Sequence, residues 1–127
     1  VVRHLAALKP GCLMVSGGEL GVSVPAGAAG RGGRNLHFLA AFAGNLAGRK
    51  DVWALAADTD GIDGAAPAAG GWIDPETLAG LDRTICEAAL SEFDSYGFLA
   101  TRGRLIETGP TGVNVGDLRL VCVDRGH

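Results

Sequence analysis

Apolar positions along the chain follow two different spacings. Gly11 to Ser16 is an apolar stretch of strand length that stops at Gly17-Gly18, and Gly21 to Val24 alternates as a hairpin partner or a following edge strand would. From Asn35 the spacing changes. Leu39, Phe42, Ala43 and Leu46 recur at the i, i+3, i+4, i+7 interval of a helix with one face in a core, and Gly48 ends it. After Asp51, Val52 to Ala57 is continuously apolar, the form a strand takes when helices cover both of its faces. The small residues from Ala65 to Gly71 fit a short, tightly packed helix or a close backbone crossing. Asp74-Pro75-Glu76 opens a short helix, and Asp82 caps another that runs from Arg83 towards Glu92. A turn at Asp94-Ser95-Tyr96 leads to Leu105-Ile106-Glu107. A glycine turn at Gly109 to Gly112 and a closing strand, alternating from Asp117 to Val123, complete the chain. Strands and helices interleave, which predicts an α/β domain: a single mixed sheet with flanking helices and glycine-rich functional loops at one edge.

Composition narrows this further. A chain of 127 residues holds one core, and 47% hydrophobic content is too high for disorder. Its 21 glycines and five prolines therefore mark special backbone positions. No apolar run approaches the roughly 18 residues of a membrane span, and no basic-then-apolar leader opens the sequence, so a cytoplasmic protein without a membrane partner is expected. Cys12, Cys86 and Cys122 are odd in number and far apart, which fits buried thiols better than a disulfide framework or metal cluster. The sequence opens on Val1 and its single methionine, Met14, lies inside an apolar stretch; a natural chain that starts upstream is the expectation.

The net charge of −3 argues against a nucleic-acid partner, but its distribution is lopsided. Six basic residues face one acid, Glu19, up to Lys50, whereas ten acids face Arg83 alone from Asp51 to Phe98. The basic half carries a glycine-rich stretch, Gly27-Ala28-Ala29-Gly30-Arg31-Gly32-Gly33-Arg34-Asn35, at the start of the helix expected from Asn35 to Leu46. There, backbone N–H groups and a helix N-terminus can close on an anion, with Arg31 and Arg34 completing a phosphate or carboxylate clamp. It matches neither the dinucleotide fingerprint nor the Walker A loop, and a surface loop is an equal reading. The acidic half answers with Asp58-Thr59-Asp60-Gly61-Ile62-Asp63-Gly64 at the end of the apolar strand, where open α/β sheets place ligands. Its carboxylates suit Mg²⁺ with bound phosphates, or simply serve an Asx-type turn. Thr111 and Asn114 sit in a third polar turn able to hold an anion, and Glu19 can bind a metal, hold an arginine or cap a turn. His4, His37 and His127 lack ligand spacing, and Trp53 and Trp72 are read as core residues.

Taken in order, Ser16-Gly17-Gly18-Glu19, Gly30 to Asn35, Thr59 to Gly64, Ala68-Ala69-Gly70, Asp94-Ser95-Tyr96 and Thr108 to Gly112 with Asn114-Val115 and Asp117-Leu118 resemble the MOFRL domain. That is the C-terminal domain of the type-2 glycerate kinases, a family also labelled hydroxypyruvate reductase. The resemblance implies a larger enzyme in which an upstream Rossmann-like domain and this one enclose a cleft where ATP phosphorylates the 2-hydroxyl of D-glycerate. It implies that Arg34 stabilises the transferring phosphate or grips the substrate carboxylate, and that Arg31, Gly32, Gly33, Asn35, Thr111 and Asn114 bind substrate or phosphate. Asp60 and Asp63, with Glu19, would hold Mg²⁺ or orient the attacking hydroxyl. A homodimer is compatible with it. Two other functions stay open: an oxidoreductase acting on hydroxypyruvate, and a noncatalytic anion-binding or assembly module. The chain departs from the family pattern at Leu36-His37, Ala66-Pro67, Phe93, Val113 and Gly116.

Overall fold

The computed structural model describes residues 8–24, 26–27 and 30–126; Pro25, Ala28 and Ala29 of the glycine-rich stretch, and His4 and His127, lie outside them. Strands β1 (Leu13–Gly17), β2 (Val52–Asp58), β3 (Gly70–Ile73), β4 (Leu105–Ile106) and β5 (Asp117–Val123) form one sheet in the order β1-β5-β2-β3-β4. Every pairing is antiparallel, so the α/β fold rests on hairpin-like neighbours and not on parallel crossovers. The C-terminal strand closes the sheet by sliding between β1 and β2. Residues 21–24, expected as a strand, have no regular structure, and β1 takes β5 as its partner instead.

Helix α1 (Arg34–Asn45) carries the predicted apolar stripe into the core, with Leu36, Leu39, Ala40 and Ala43 inaccessible to solvent. Short helices α2 (Pro75–Leu78), α3 (Arg83–Ser91) and α4 (Ser95–Ala100) follow, and Asp74, Asp82 and Asp94 each accept a hydrogen bond from a backbone N–H in the first turn. The stretch of small residues at 65–71 is the close backbone crossing: a Cβ on Gly70 would strike Ala56 of β2, and one on Gly71 would strike Arg104.

The continuous apolar run of β2 implied helices on both faces. The structure corrects this. Val52, Ala54 and Ala56 are buried under the helices with Ile73, Val121 and Val123, while Trp53 is 45% exposed on the opposite face, beside Leu13, Leu55, Trp72 and Leu120. Trp53 and Trp72 accordingly belong to that open face and not to the core, and Trp72 is capped by the Arg104 guanidinium, 4.4 Å from its ring.

Candidate functional site

The N-terminus of α1, the end of β2, the start of β5 and the turn after β1 meet at one end of the sheet. The cationic and anionic loops of the sequence do converge there, and they converge on each other. Asp63 is fully buried, and its carboxylate accepts hydrogen bonds from the backbone N–H groups of Asn35 (3.1 Å) and Leu36 (2.8 Å) and from Asn35 Nδ2 (3.2 Å). It caps α1 from a distant loop, doing for the helix what Gly33, without a side chain, cannot. Burial pushes the Asp63 carboxyl above its ordinary value of 3.8, against the hydrogen bonds from Leu36 and Asn35. Both Asp63 oxygens are committed to these N–H groups inside the core. Asn35 is likewise inaccessible to solvent.

The glycines of the loop have the same origin. A Cβ on Gly30 would collide with Asp94, on Gly32 with Ser95 Oγ and on Gly33 with Asp63. They permit the loop to lie against Asp94-Ser95-Tyr96, where Arg31 N–H donates to Asp94 (3.2 Å) and Tyr96 N–H donates to Arg31 O (2.9 Å). The Arg31 guanidinium lies 4.6 Å from the Tyr96 ring centroid, so this arginine is drawn towards an aromatic face and away from Arg34. Among the described residues, none accepts a hydrogen bond from the N–H of Gly32, Gly33 or Arg34. Those amides border a cleft of about 370 Å³ whose opposite wall is Leu20, Val22, Val24 and Phe93.

Arg34 is the hub of the charged groups. Its Nε and Nη2 donate to the two oxygens of Asp117 at 2.6 and 3.0 Å, and Nη2 also reaches Asp58 at 2.8 Å and Glu19 at 3.3 Å. Asp117 and Asp58 are buried, whereas Glu19 is two-thirds exposed. The hydrogen bond that Arg34 donates to Asp117 raises the Arg34 pKa further above its already high value. Burial alone would raise Asp117, but hydrogen bonding and the charges of Arg34 and Arg119 outweigh it and hold the carboxyl below 3.8. Asp58 goes the other way, raised by burial and by its acidic neighbours Asp60 and Asp117. Nη1 of Arg34 donates to none of the described residues, and the side chain is 28% exposed.

The third turn is tied to the acidic loop. Thr111 N–H donates to Asp60 O (3.1 Å), Thr111 Oγ1 donates to Thr59 O (2.5 Å), and Thr59 Oγ1 donates to Gly116 O (2.8 Å). Gly61, at φ +95°, lies so close to Gly109 that no side chain fits. Asn114 Oδ1 accepts from Gly116 N–H within its own turn. Asp60 Oδ1 accepts from Ile62 N–H at 2.8 Å, leaving its second oxygen without a protein donor among the described residues. Glu19, Asp60 and Asp63 do not converge as a metal set: among the described residues, no group of three or more His, Cys, Asp or Glu side chains is placed to hold a metal ion.

His37 stacks on Phe93, with ring centroids 4.9 Å apart, and burial lowers its pKa. These are two of the positions at which the chain departs from the resembled pattern, and they depart as a contacting pair. Sequence reasoning missed Arg119 altogether and gave Asp117 no role. Their signal was the period of β5: counted back from Val121 and Val123, positions 119 and 117 fall on the same face.

Comparison with known proteins places the chain. Residues 12–117 match the MOFRL family. A protein of Agrobacterium vitis provisionally named a hydroxypyruvate reductase is 47% identical over 87% of this chain and 29% of its own length. The D-glycerate 2-kinase of Thermotoga maritima is 40% identical over 87% of this chain and 27% of its own length. The crystal structure of a Thermotoga maritima glycerate kinase superimposes with a TM-score of 0.79 and 37% identity, covering 91% of this chain and 28% of that one. The chain thus spans under a third of the length of these relatives.

Proposed function

The chain belongs to the MOFRL family, and from that premise we propose that it forms one wall of the active site of an enzyme acting on a three-carbon acid oxygenated at C2, D-glycerate or hydroxypyruvate. The other wall is an upstream Rossmann-like domain, and this chain alone is inactive. The observation that carries the reading is Arg34, fixed on one side by Asp117 and Asp58 and open on the other, beside the N–H groups at the start of a 12-residue helix.

Two reactions fit that acid. Phosphoryl transfer from ATP to the C2 hydroxyl is mainly positioning and charge neutralisation, and the open edge of Arg34 with the Gly32 and Gly33 amides supplies both. Asp60 offers a carboxylate oxygen for the departing hydroxyl proton. Thr111 and Asn114 hold the third turn at the mouth. Magnesium would be brought by ATP, with Asp60 and Glu19 as the carboxylates of this chain that could meet it; among the described residues no three such side chains form a cage. Reduction of hydroxypyruvate is the second reading, and sequence identity favours it: the reductase-named relative stands at 47% and the kinase at 40%. Hydride transfer needs a dinucleotide whose fingerprint this chain lacks, so the upstream domain would hold it.

Assaying the complete enzyme with D-glycerate and MgATP, and separately with hydroxypyruvate and NADH, decides between them. Phosphorylated glycerate is the expected product. NADH oxidation without phosphorylation selects the reductase, and silence in both assays leaves an assembly module.

A further inference from the structure

Arg119 is a buried cation with an incomplete set of partners. It is 5% exposed; Nη2 donates to Gly17 O at 2.7 Å, and Nη1 is buried with no partner among the described residues. A guanidinium carries only donors, and a neutral carbonyl does not compensate a desolvated charge. The carboxylates at this end of the sheet leave it so: Asp117, Asp58 and Glu19 all bond to Arg34. Asp117, two residues along the same face, lends Arg119 its field but accepts none of its hydrogen bonds.

Directly across the ladder, Ser16 of β1 pairs with Arg119, and its hydroxyl is likewise buried without a partner. Two adjacent buried groups, one of them cationic, thus stand unmatched beside the Arg34 cluster. A water would complete the hydrogen bonds and leave the charge. A carboxylate completes both, with one oxygen on Arg119 Nη1 and the other on the Ser16 hydroxyl. In the turn that follows β1, Gly18 adopts φ +86° with no atom within 4 Å of where a side chain would stand.

We propose that Arg119 and Ser16 form the carboxylate subsite for the small acid, leaving the Arg34 edge and the Gly32–Gly33 amides to the phosphate or the C2 oxygen. This rests on the three-carbon acid reading for the identity of the acid, and on the structure alone for the existence of the site. The test is NMR on the chain with ¹⁵N-labelled arginine, titrated separately with acetate, D-glycerate and inorganic phosphate. The Arg119 Nε–H signal is expected to move saturably with acetate and D-glycerate. Ser16→Ala should weaken both about tenfold, the scale of one charge-assisted hydrogen bond, and Arg119→Met should abolish the shifts that either acid causes at the Ser16 and Gly17 backbone amides. If Arg119→Met does not fold, the Ser16→Ala titration decides. An unmoved signal, tighter binding of phosphate than of either carboxylate, or a response to Glu19→Gln but to no added acid would overturn the proposal. Acetate binding without glycerate binding retains the carboxylate site and refutes the three-carbon acid reading instead.

Discussion

Asp63 shows how a residue that looks like chemistry can be architecture. Its carboxylate ends the N–H groups of a helix 28 positions away in sequence, so Asp63→Ala strands two backbone donors and the Asn35 amide in a dry site. Loss of about 3 kcal/mol in urea unfolding is expected, on the scale of a lost cap plus an unsatisfied buried donor. The same environment gives opposite titrations within one cluster. Followed by carboxyl-carbon NMR, Asp63 should titrate above 3.8 and Asp117 below it. The linkage follows from these directions. Asp117, depressed in the fold, contributes stability that is present above pH 3.8 and lost as pH falls through its lower folded value. Asp63, raised in the fold, contributes the reverse, gaining stability as pH falls towards 3.8. Replacing Asp117 with Asn should therefore flatten the loss of stability below pH 3.8, measured as urea midpoint against pH. Phe93 adopts φ +55°, a conformation that Asn tolerates better than Phe, but it is also buried against His37. Phe93→Asn relieves about 1 kcal/mol of backbone strain and forfeits more in packing, so a net loss of about 2 kcal/mol in the same assay is expected.

At the level of elements, α1 was legible because its stripe repeats over three turns and one face is dry. The strands were harder. Leu118, Leu120 and Cys122 of β5 alternate with Asp117, Arg119 and Val121, and on hydropathy alone the first set would be placed inward, a choice the alternation itself leaves open. The fold turns that strand the other way, burying Asp117 and Arg119 with Val121 and Val123. The sheet has apolar residues on both faces, so alternation reveals the period but not the side. The run at β2 misled for the same reason: its apolarity reflects an uncovered face as well as a covered one. Residues 21–24 had strand alternation, but β1 pairs with β5 on one side and, among the described residues, its outer edge takes no strand. The two faces can be told apart by mutation. Leu39→Ala, under the helices, should lose about 3 kcal/mol in urea unfolding. Trp53→Ser, on the open face, should change stability by under about 1 kcal/mol.

Across the whole molecule, the charge asymmetry of the sequence found its meaning as an internal pairing. The basic loop and the acidic loop meet at one sheet end, where Asp58 and Asp117 neutralise Arg34 and leave a single edge of it available. The convergence could be inferred from the order of motifs. What could not be inferred is that Asn35, Asp63 and the loop glycines serve the joint between the loops, because capping and ligand binding call for the same residue types. The relatives that match it carry the matching segment in under a third of their own length. The sharpest test is kcat/KM of that complete enzyme carrying Arg34→Ala, for MgATP with D-glycerate and for NADH with hydroxypyruvate. A fall of about 10³ or more in the activity the parent shows, with the fold intact by circular dichroism, is predicted from the loss of an arginine that meets developing charge. A variant within a few-fold of the parent would contradict the assignment of this sheet end as the active-site wall.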